Sequence, residues 1–370
     1  MKILFFTIGN EEVASSRSRV YQYLPYLRSR GIEYKVISQI PSWQFRKVIS
    51  KQSESLISKI FAKFYSFLKV ILFIFSVRES DILFIQRVLL AVWLQKFIFK
   101  LNNNIVFDFD DAIYLFDKVN NGKKNTFSGN GKYLPRLEHI LKSSKCIVLE
   151  NEYTKAYANK FNKNILLITG PIDTQRYMPR EKGFKKDEVV LGWIGSPSTS
   201  VYLEQLSEVF KILKAKYSHL VIELVGLKSN PFQLKVDNIV AKKWSLDTEV
   251  ADLQNFDIGI MPLDDSEWTR SKGGYKLLQY MAVGIPCVAS PVGINSELIQ
   301  QGVNGFLASN KEEWLGYITR LIEDENLRVS MGRRGRQMAE NSYSYEKATP
   351  KLLEALYDIV KFPRPDNRVS

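Results

Sequence analysis

Short apolar runs and helix-period segments take turns along the whole chain. MKILFFTIG, EYKVIS, DILFIQR, NIVFDFDD, KCIVLEN and NILLITG read as the strands of a first series, with helical patterns near residues 20–30 and between the later runs. A second series opens at EVVLGWIG and continues through HLVIELVG, FDIGIMPL and IPCVAS. Such alternation predicts an α/β chain whose parallel sheets are wrapped by helices. Between the two series lies RYMPREKGFKKDE, polar and carrying Pro179 and Gly183, which reads as an interdomain linker. The chain therefore divides into an N-terminal domain over residues 1–175 and a C-terminal domain over residues 185–345. No repeat of 20–50 residues is apparent.

Residues 256–309 carry the densest chemistry. FDIGIMPL is stopped by Pro262, Gly273 and Gly274 precede a helical pattern, and Gly284 sits where a C-terminal cap belongs. That helix starts in a loop at the carboxyl end of a strand, where open α/β sheets place their ligands. Leu277, Leu278, Met281 and Ala282 form one face, while Lys272, Lys276 and Gln279 fall on another. Backbone N–H groups at a helix start, two glycines allowing close approach, and the charges of Arg270, Lys272 and Lys276 suit a diphosphate. Gln279, one turn further in, is placed to hydrogen-bond sugar hydroxyls. The same pattern also fits an ordinary core helix with a solvated basic face.

At these residues the chain resembles family-4 glycosyltransferases, and DIGIMPL, KGGYKLLQYMAVGIPCVASPVG, the Glu297 segment and NGF carry the resemblance most specifically. It implies the GT-B fold, two Rossmann-like domains with parallel sheets facing a cleft. It also implies an acceptor domain at the N-terminus, a nucleotide-sugar donor domain at the C-terminus, and a last helix over residues 346–362 crossing back to the first domain. Gln279 falls on the second position of the family's Glu-x7-Glu motif, which usually holds the donor ribose; the first falls on Ser271, a departure. LGWIGSPSTSVYLEQL matches the Gly-rich turn after the first strand of the donor domain. Where most members carry an Arg and a Lys there, this chain offers Gly195, Ser196, Ser198 and Thr199. Donor phosphates would then rely on hydroxyls, backbone N–H groups and the cluster from Arg270 to Lys276. The Ser/Thr-rich turn equally suits N-capping of a helix beginning near Tyr202.

In the first domain, Gly9 follows the first strand and the polar run EEVASSRSR leads into a helix, which puts Ser15, Ser16, Arg17 and Arg19 on the cleft side. In the resemblance this loop faces the acceptor, and arginines suit the phosphate or carboxylate of a lipid-linked or acidic one. A solvated first helical turn is an equal reading. NIVFDFDD ends in Asp108, Asp110 and Asp111, and Asp110 or Asp111 at a carboxyl strand end could orient or deprotonate an acceptor hydroxyl. Capping of the next helix is the alternative for Asp111. No His stands near them, so they do not read as a metal site. His139 and His219 read as structural or surface residues, which leaves a familiar acid/base position of the family unfilled. Glu150 and Glu152, at another strand end, are weaker candidates. GPID resembles a family turn at the domain junction, so Gly170 and Asp173 read as turn residues.

The implied reaction is glycosyl transfer from a nucleotide diphosphate sugar to a hydroxyl of a glycan or lipid-linked acceptor, with retention implied by the family alone. Fixed cations and a helix N-terminus would stabilise the departing diphosphate, so neither a metal nor a cofactor beyond the donor is expected. The alternative is a non-catalytic GT-B scaffold in a membrane glycan-assembly complex, motivated by Ser271 and the absent Arg/Lys pair.

Composition narrows the setting. A chain of 370 residues, 45% hydrophobic, can bury two cores. The net charge of +13 asks for an acidic partner, but no nucleic-acid motif accompanies it, and the basic residues are interleaved with apolar ones. Residues 41–80 hold seven Lys or Arg against two Glu, and Leu56, Ile57, Ile60, Phe61, Phe64, Phe67 and Phe75 follow helical periodicity there. A basic amphipathic helix over residues 43–78 suits an anionic membrane surface, and burial against the N-terminal sheet is the other reading. It reads as a poor spanning helix, interrupted by Lys59, Lys63 and Lys69. MKILFFTIG is too short for a signal peptide and is followed by Glu11 and Glu12, which predicts a cytoplasmic chain, peripheral on the inner face of the membrane. Cys146 and Cys287 lie in strands of different domains and suggest no disulfide. DKVNNGKKNTFSGNGKY reads as a surface loop near the cleft, and PRPDNRVS as a disordered tail.

Overall fold

The computed structural model describes residues 1–44, 55–115, 132–180, 188–227 and 239–361. Most of the linker, the Asn/Gly-rich loop and the C-terminal tail lie outside the described residues, as do residues 45–54. The chain forms two compact units: Met1–Pro171 with Ser271–Gly273 and Tyr345–Ser370, and Ile172–Arg270 with Gly274–Ser344.

The first unit holds a six-stranded sheet in the order β2-β1-β3-β4-β5-β6, all parallel: β1 Lys2–Thr7, β2 Glu33–Ser38, β3 Ile82–Gln86, β4 Ile105–Asp108, β5 Cys146–Leu149 and β6 Ile165–Leu167. Alternation sends side chains of each strand to opposite faces. Ile3, Phe5, Ile82 and Phe84 enter one core, and Leu4, Phe6, Leu83 and Ile85 the other. Strands coated on both faces read as continuous apolar runs, which is why they are legible as strands. One core is closed by Leu27 and by Leu352 and Leu356 of the helix Tyr345–Val360. The other takes Phe73 and Val77, Ile98, and Leu137 to Leu141 from three further helices. The pattern near residues 20–30 is not one helix: Ala14–Arg19, a 3-10 turn Tyr21–Tyr23 and Leu24–Ser29 follow one another, with Pro25 in the first turn of the last.

The second unit repeats the plan with β7 Val189–Ile194, β8 Leu220–Val225, β9 Ile239–Lys242, β10 Ile258–Met261, β11 Cys287–Ala289 and β12 Gly305–Leu307, in the order β12-β11-β10-β7-β8-β9. Its two cores gather around Trp193, Phe210 and Ile318 on one face and Phe256, Leu278 and Met281 on the other. The helix expected near Tyr202 begins instead as a 3-10 segment, Ser200–Leu206, and becomes α-helical at Ser207. Arg336 ties the start of the unit to its interior, donating to the carbonyls of Tyr177 and Ala282 at 2.6 Å each and of Thr174 at 2.8 Å.

The helix Leu56–Val77 departs from the expectation of a poor spanning segment. With 22 residues it is long and apolar enough to cross a membrane by length and composition alone, as are some core helices of soluble proteins.

Candidate functional site

Sheet order locates the sites before any side chain is considered. In the second unit, β7 is followed in space by β8 and β9 on one side and by β10 to β12 on the other, so the chain reverses direction between β7 and β10. A crevice opens at the carboxyl ends of strands at such a switch point. The turn after β7 is Gly195 to Thr199, held by its own hydroxyls: Thr199 Oγ1 donates to the Ser196 carbonyl at 3.0 Å, and the Ser196 and Ser198 hydroxyls meet at 2.8 Å. Ser196 and Ser198 are exposed. Gly226 lies so close that a Cβ there would sit 1.7 Å from the Gly195 carbonyl oxygen.

From the other side of the switch comes the helix Tyr275–Ala282, entered through Gly274 at φ 70°. Only glycine fits, because a Cβ would also meet Leu298 at 2.5 Å and Ile294 at 2.8 Å. Lys276, in the helix's first turn, places its ammonium 5.4 Å from the centre of the Trp193 ring, directly below Gly195. The β7 turn and the helix start therefore converge, and Gly195, Ser196, Ser198, Thr199, Gly274 and Lys276 share one corner of the unit. Glu297 is exposed in the short helix Asn295–Leu298, against which Gly274 packs.

Arg270 is engaged by a bidentate pair with Asp265, at 2.5 and 2.8 Å, so its charge is neutralised locally; that contact holds the Asp265 carboxyl below its usual range. Gln279 is nearly enclosed, and its amide donates to the Tyr177 hydroxyl at 3.4 Å, beside Glu249, which also accepts from Trp244 Nε1 at 2.9 Å. Lys272 and Gly273 group with the first unit. The Asn151 amide donates to the Ser271 carbonyl at 2.7 Å and to the Lys272 carbonyl at 3.3 Å, and the Ala112 N–H donates to the Ser271 hydroxyl at 2.9 Å. Gly273 is required there, since a Cβ would fall 1.5 Å from Glu150 Oε2.

In the first unit the reversal lies between β1 and β3. Arg19, expected to face an acceptor, is fully buried. Its guanidinium reaches Asp108 at 2.5 to 3.2 Å, Glu150 at 3.3 Å and the carbonyls of Ile168 and Gly170 at 2.8 and 3.1 Å. It therefore ties together the ends of β4, β5 and β6. Ser16 is buried too, accepting from the Gly9 N–H at 3.2 Å and donating to Gln86 at 3.0 Å. Arg17, 4% exposed, donates to the Glu11 carbonyl at 2.9 Å. Ser16 and Arg17 brace the loop after β1, while Arg19 clamps the strand ends beside it.

Asp110 and Asp111 converge on Arg87, at 3.0 and 3.1 Å. Arg87 was not singled out by sequence. It follows β3 in a left-handed conformation, φ 58°, which a pattern of residue types does not announce. Burial works to raise the Asp110 carboxyl, but Arg87 and the Ser15 hydroxyl hold it below the ordinary range. A carboxylate held ionised in this way is a weak general base, so orientation suits Asp110 better than deprotonation. Glu150 behaves oppositely: burial pushes it up to about 8 and Asp108 to about 6, against the pull of Arg19. A single guanidinium serves both carboxylates, and Asp108 takes its bidentate edge. His139 is structural, bonded through Nδ1 to Gln95 at 2.8 Å.

Known proteins resemble this chain in fold and, over part of it, in sequence. Residues 175–338, which lie within the second unit apart from Ser271–Gly273, match the family model described as glycosyl transferases group 1. The chain is 31% identical over 90 residues to N-acetyl-alpha-D-glucosaminyl L-malate synthase of Bacillus anthracis, a match spanning 24% of each protein. Among solved structures it is similar to Anabaena HepE in complex with UDP and glucose, with TM-score 0.68, 14% identity, and coverage of 96% of this chain and 99% of that one. It is also similar to sucrose-phosphate synthase from Thermosynechococcus elongatus, with TM-score 0.68, 13% identity, and coverage of 98% and 100%. The fold is that of GT-B glycosyltransferases, and the family match supports glycosyltransferase as the enzyme class.

Proposed function

We propose that the chain transfers a glycosyl group from a nucleotide diphosphate sugar to a hydroxyl of a glycan or lipid-linked acceptor, with retention and without a metal. The observation that carries this reading is the convergence of the β7 turn and the Gly274-entered helix at the switch point of a group 1 domain. Backbone N–H groups, the Ser196 and Ser198 hydroxyls and the Lys276 ammonium would receive the diphosphate, and stabilising its growing charge would lower the barrier. Relatives crystallised with UDP or UDP-glucose support a uridine nucleotide as the first to try. Gln279 would approach the ribose through the Tyr177 network, and Glu297 would lie at the rim. In the first unit, Arg87 with Asp110 and Asp111 would orient the acceptor. Family-4 membership, a role in cell-surface glycan assembly and a cytoplasmic position on the inner face of a membrane belong to the same proposal.

Calorimetric titration with nucleoside diphosphates and their sugars, repeated on Lys276→Ala, tests the donor site. Saturable binding of one nucleotide, weakened at least tenfold in the variant, is expected. A scaffold without catalysis is favoured by two observations, Ser271 in place of a carboxylate and Arg270 occupied by Asp265. It predicts nucleotide binding by folded protein that is weak or absent.

A further inference from the structure

The helix Leu56–Val77 wears its apolar face outward. Ile57, Ile60, Phe61, Phe64, Phe67 and Phe75 recur at helical spacing, and each is at least 57% exposed. The face turned toward the sheet is the one that carries serines. Ser66 donates to the Gln39 carbonyl at 3.1 Å, and Ser76 accepts from the Lys35 ammonium at 2.8 Å, beside the buried Phe73 and Val77. Burial against the N-terminal sheet thus accounts for one edge of this helix and leaves the phenylalanine stripe outside. The adjoining helix Val92–Leu101 extends the surface with Trp93, 71% exposed, and Phe97, 49% exposed. Aromatic side chains of this size, about half or more exposed, bring the surface to on the order of 1,000 Å², beyond the few hundred usual for a monomer.

Charge decides what covers it. The two helices carry Lys59, Lys63, Lys69, Lys96 and Lys100 and no acidic residue. We propose that this two-helix face docks on a bilayer bearing anionic lipids, lying in its plane with the aromatics in the acyl boundary and the lysines reaching the headgroups. Trp93 stands where an interfacial ring belongs. A second copy of the chain would set the same lysines against each other, and protein interfaces are depleted in lysine. Spanning would tear the helix from the sheet, where Phe73 stacks on Phe6 at 4.3 Å. The proposal deepens the peripheral-membrane reading and rests on it, but it does not depend on the transfer reaction.

The test is flotation of the full chain with phosphatidylcholine vesicles, with and without about one-third phosphatidylglycerol, for wild type, Phe61→Ser/Phe64→Ser, Trp93→Ala and Lys59→Glu/Lys63→Glu. All substituted side chains are exposed, and circular dichroism confirms folding. Wild type should float with the mixed vesicles. Each lost aromatic should weaken binding about tenfold in both lipid mixtures. Each lysine reversal should cost about fivefold or more, in the anionic vesicles only. Alkaline carbonate should release the protein. No flotation by folded wild type, unchanged binding in the aromatic variants, resistance to carbonate, or a dimer dissolved by Phe61→Ser/Phe64→Ser would each overturn the proposal. Calorimetric nucleotide binding on the same samples separates these outcomes from failure of the donor site.

Discussion

Replacing Arg19 with methionine keeps the length of the side chain and removes its charge from a site that water does not reach. Asp108 loses its bidentate partner, Glu150 its cation, and the carbonyls of Ile168 and Gly170 their donor. Removing one partner from a buried ion pair costs about 3–5 kcal/mol, a third or more of the stability of an ordinary domain. The loss depends on pH in a defined direction. With the guanidinium gone, both carboxyls rise further above their unfolded values, so the folded state binds more protons than the unfolded state near neutrality. Stability then falls as pH rises, each group contributing up to about 1.4 kcal/mol per pH unit between its two values. Glu150 already keeps its proton to about pH 8 in wild type, so the variant parts from wild type chiefly through Asp108, least near pH 5 and most near pH 8. Because two units need not unfold together, urea-dependent hydrogen exchange in peptides covering β1, β4 and β5 is the suitable assay. A loss below about 1 kcal/mol, or an equal loss at both pH values, would refute the clamp.

Glu150→Gln is predicted to act on wild-type pH dependence. Glu150 is raised from 4.5 to about 8 by burial, so in wild type it erodes stability as pH climbs through that window; the amide should flatten the curve, and an unchanged slope between pH 5 and 8 would place the titration elsewhere. Gly274→Ala combines a left-handed φ with collisions against Leu298 and Ile294, so a loss of about 1–3 kcal/mol, localised by hydrogen exchange to the helix Tyr275–Ala282, is expected. Arg87→Ala should release Asp110 from its low proton affinity, and carbon-detected NMR of the labelled carboxylate should show its titration moving upward.

Strands buried on both faces were legible because apolar residues dominate them. β1, β3, β4, β5, β7, β8, β10 and β11 fall where their runs lie, and the half-exposed edge strands β2 and β6 were legible from shorter patterns. β9 escaped: Ile239–Lys242 is a short, half-exposed edge strand with no continuous apolar run. The glycines at the entry to the helix Tyr275–Ala282 announced a sharp turn, and the structure adds what each avoids, Glu150 for Gly273 and Leu298 for Gly274. Charged residues were read least well. Whether Arg19 faces solvent or clamps Asp108, and whether Arg270 is open or paired to Asp265, depends on residues brought in from elsewhere in the fold. Periodicity likewise identified the stripe of the helix Leu56–Val77 without saying which way it turns.

In the proposed reaction the corner formed by the β7 turn and Lys276 binds the diphosphate of a sugar donor and activates it. Release of nucleoside diphosphate from a panel of nucleotide sugars, measured for wild type and Lys276→Ala in the presence of EDTA, tests it most directly. Turnover of one donor should survive EDTA and fall by about 10²-fold or more in the variant. Turnover unaffected by Lys276→Ala, or none with any donor by a folded protein, would contradict it.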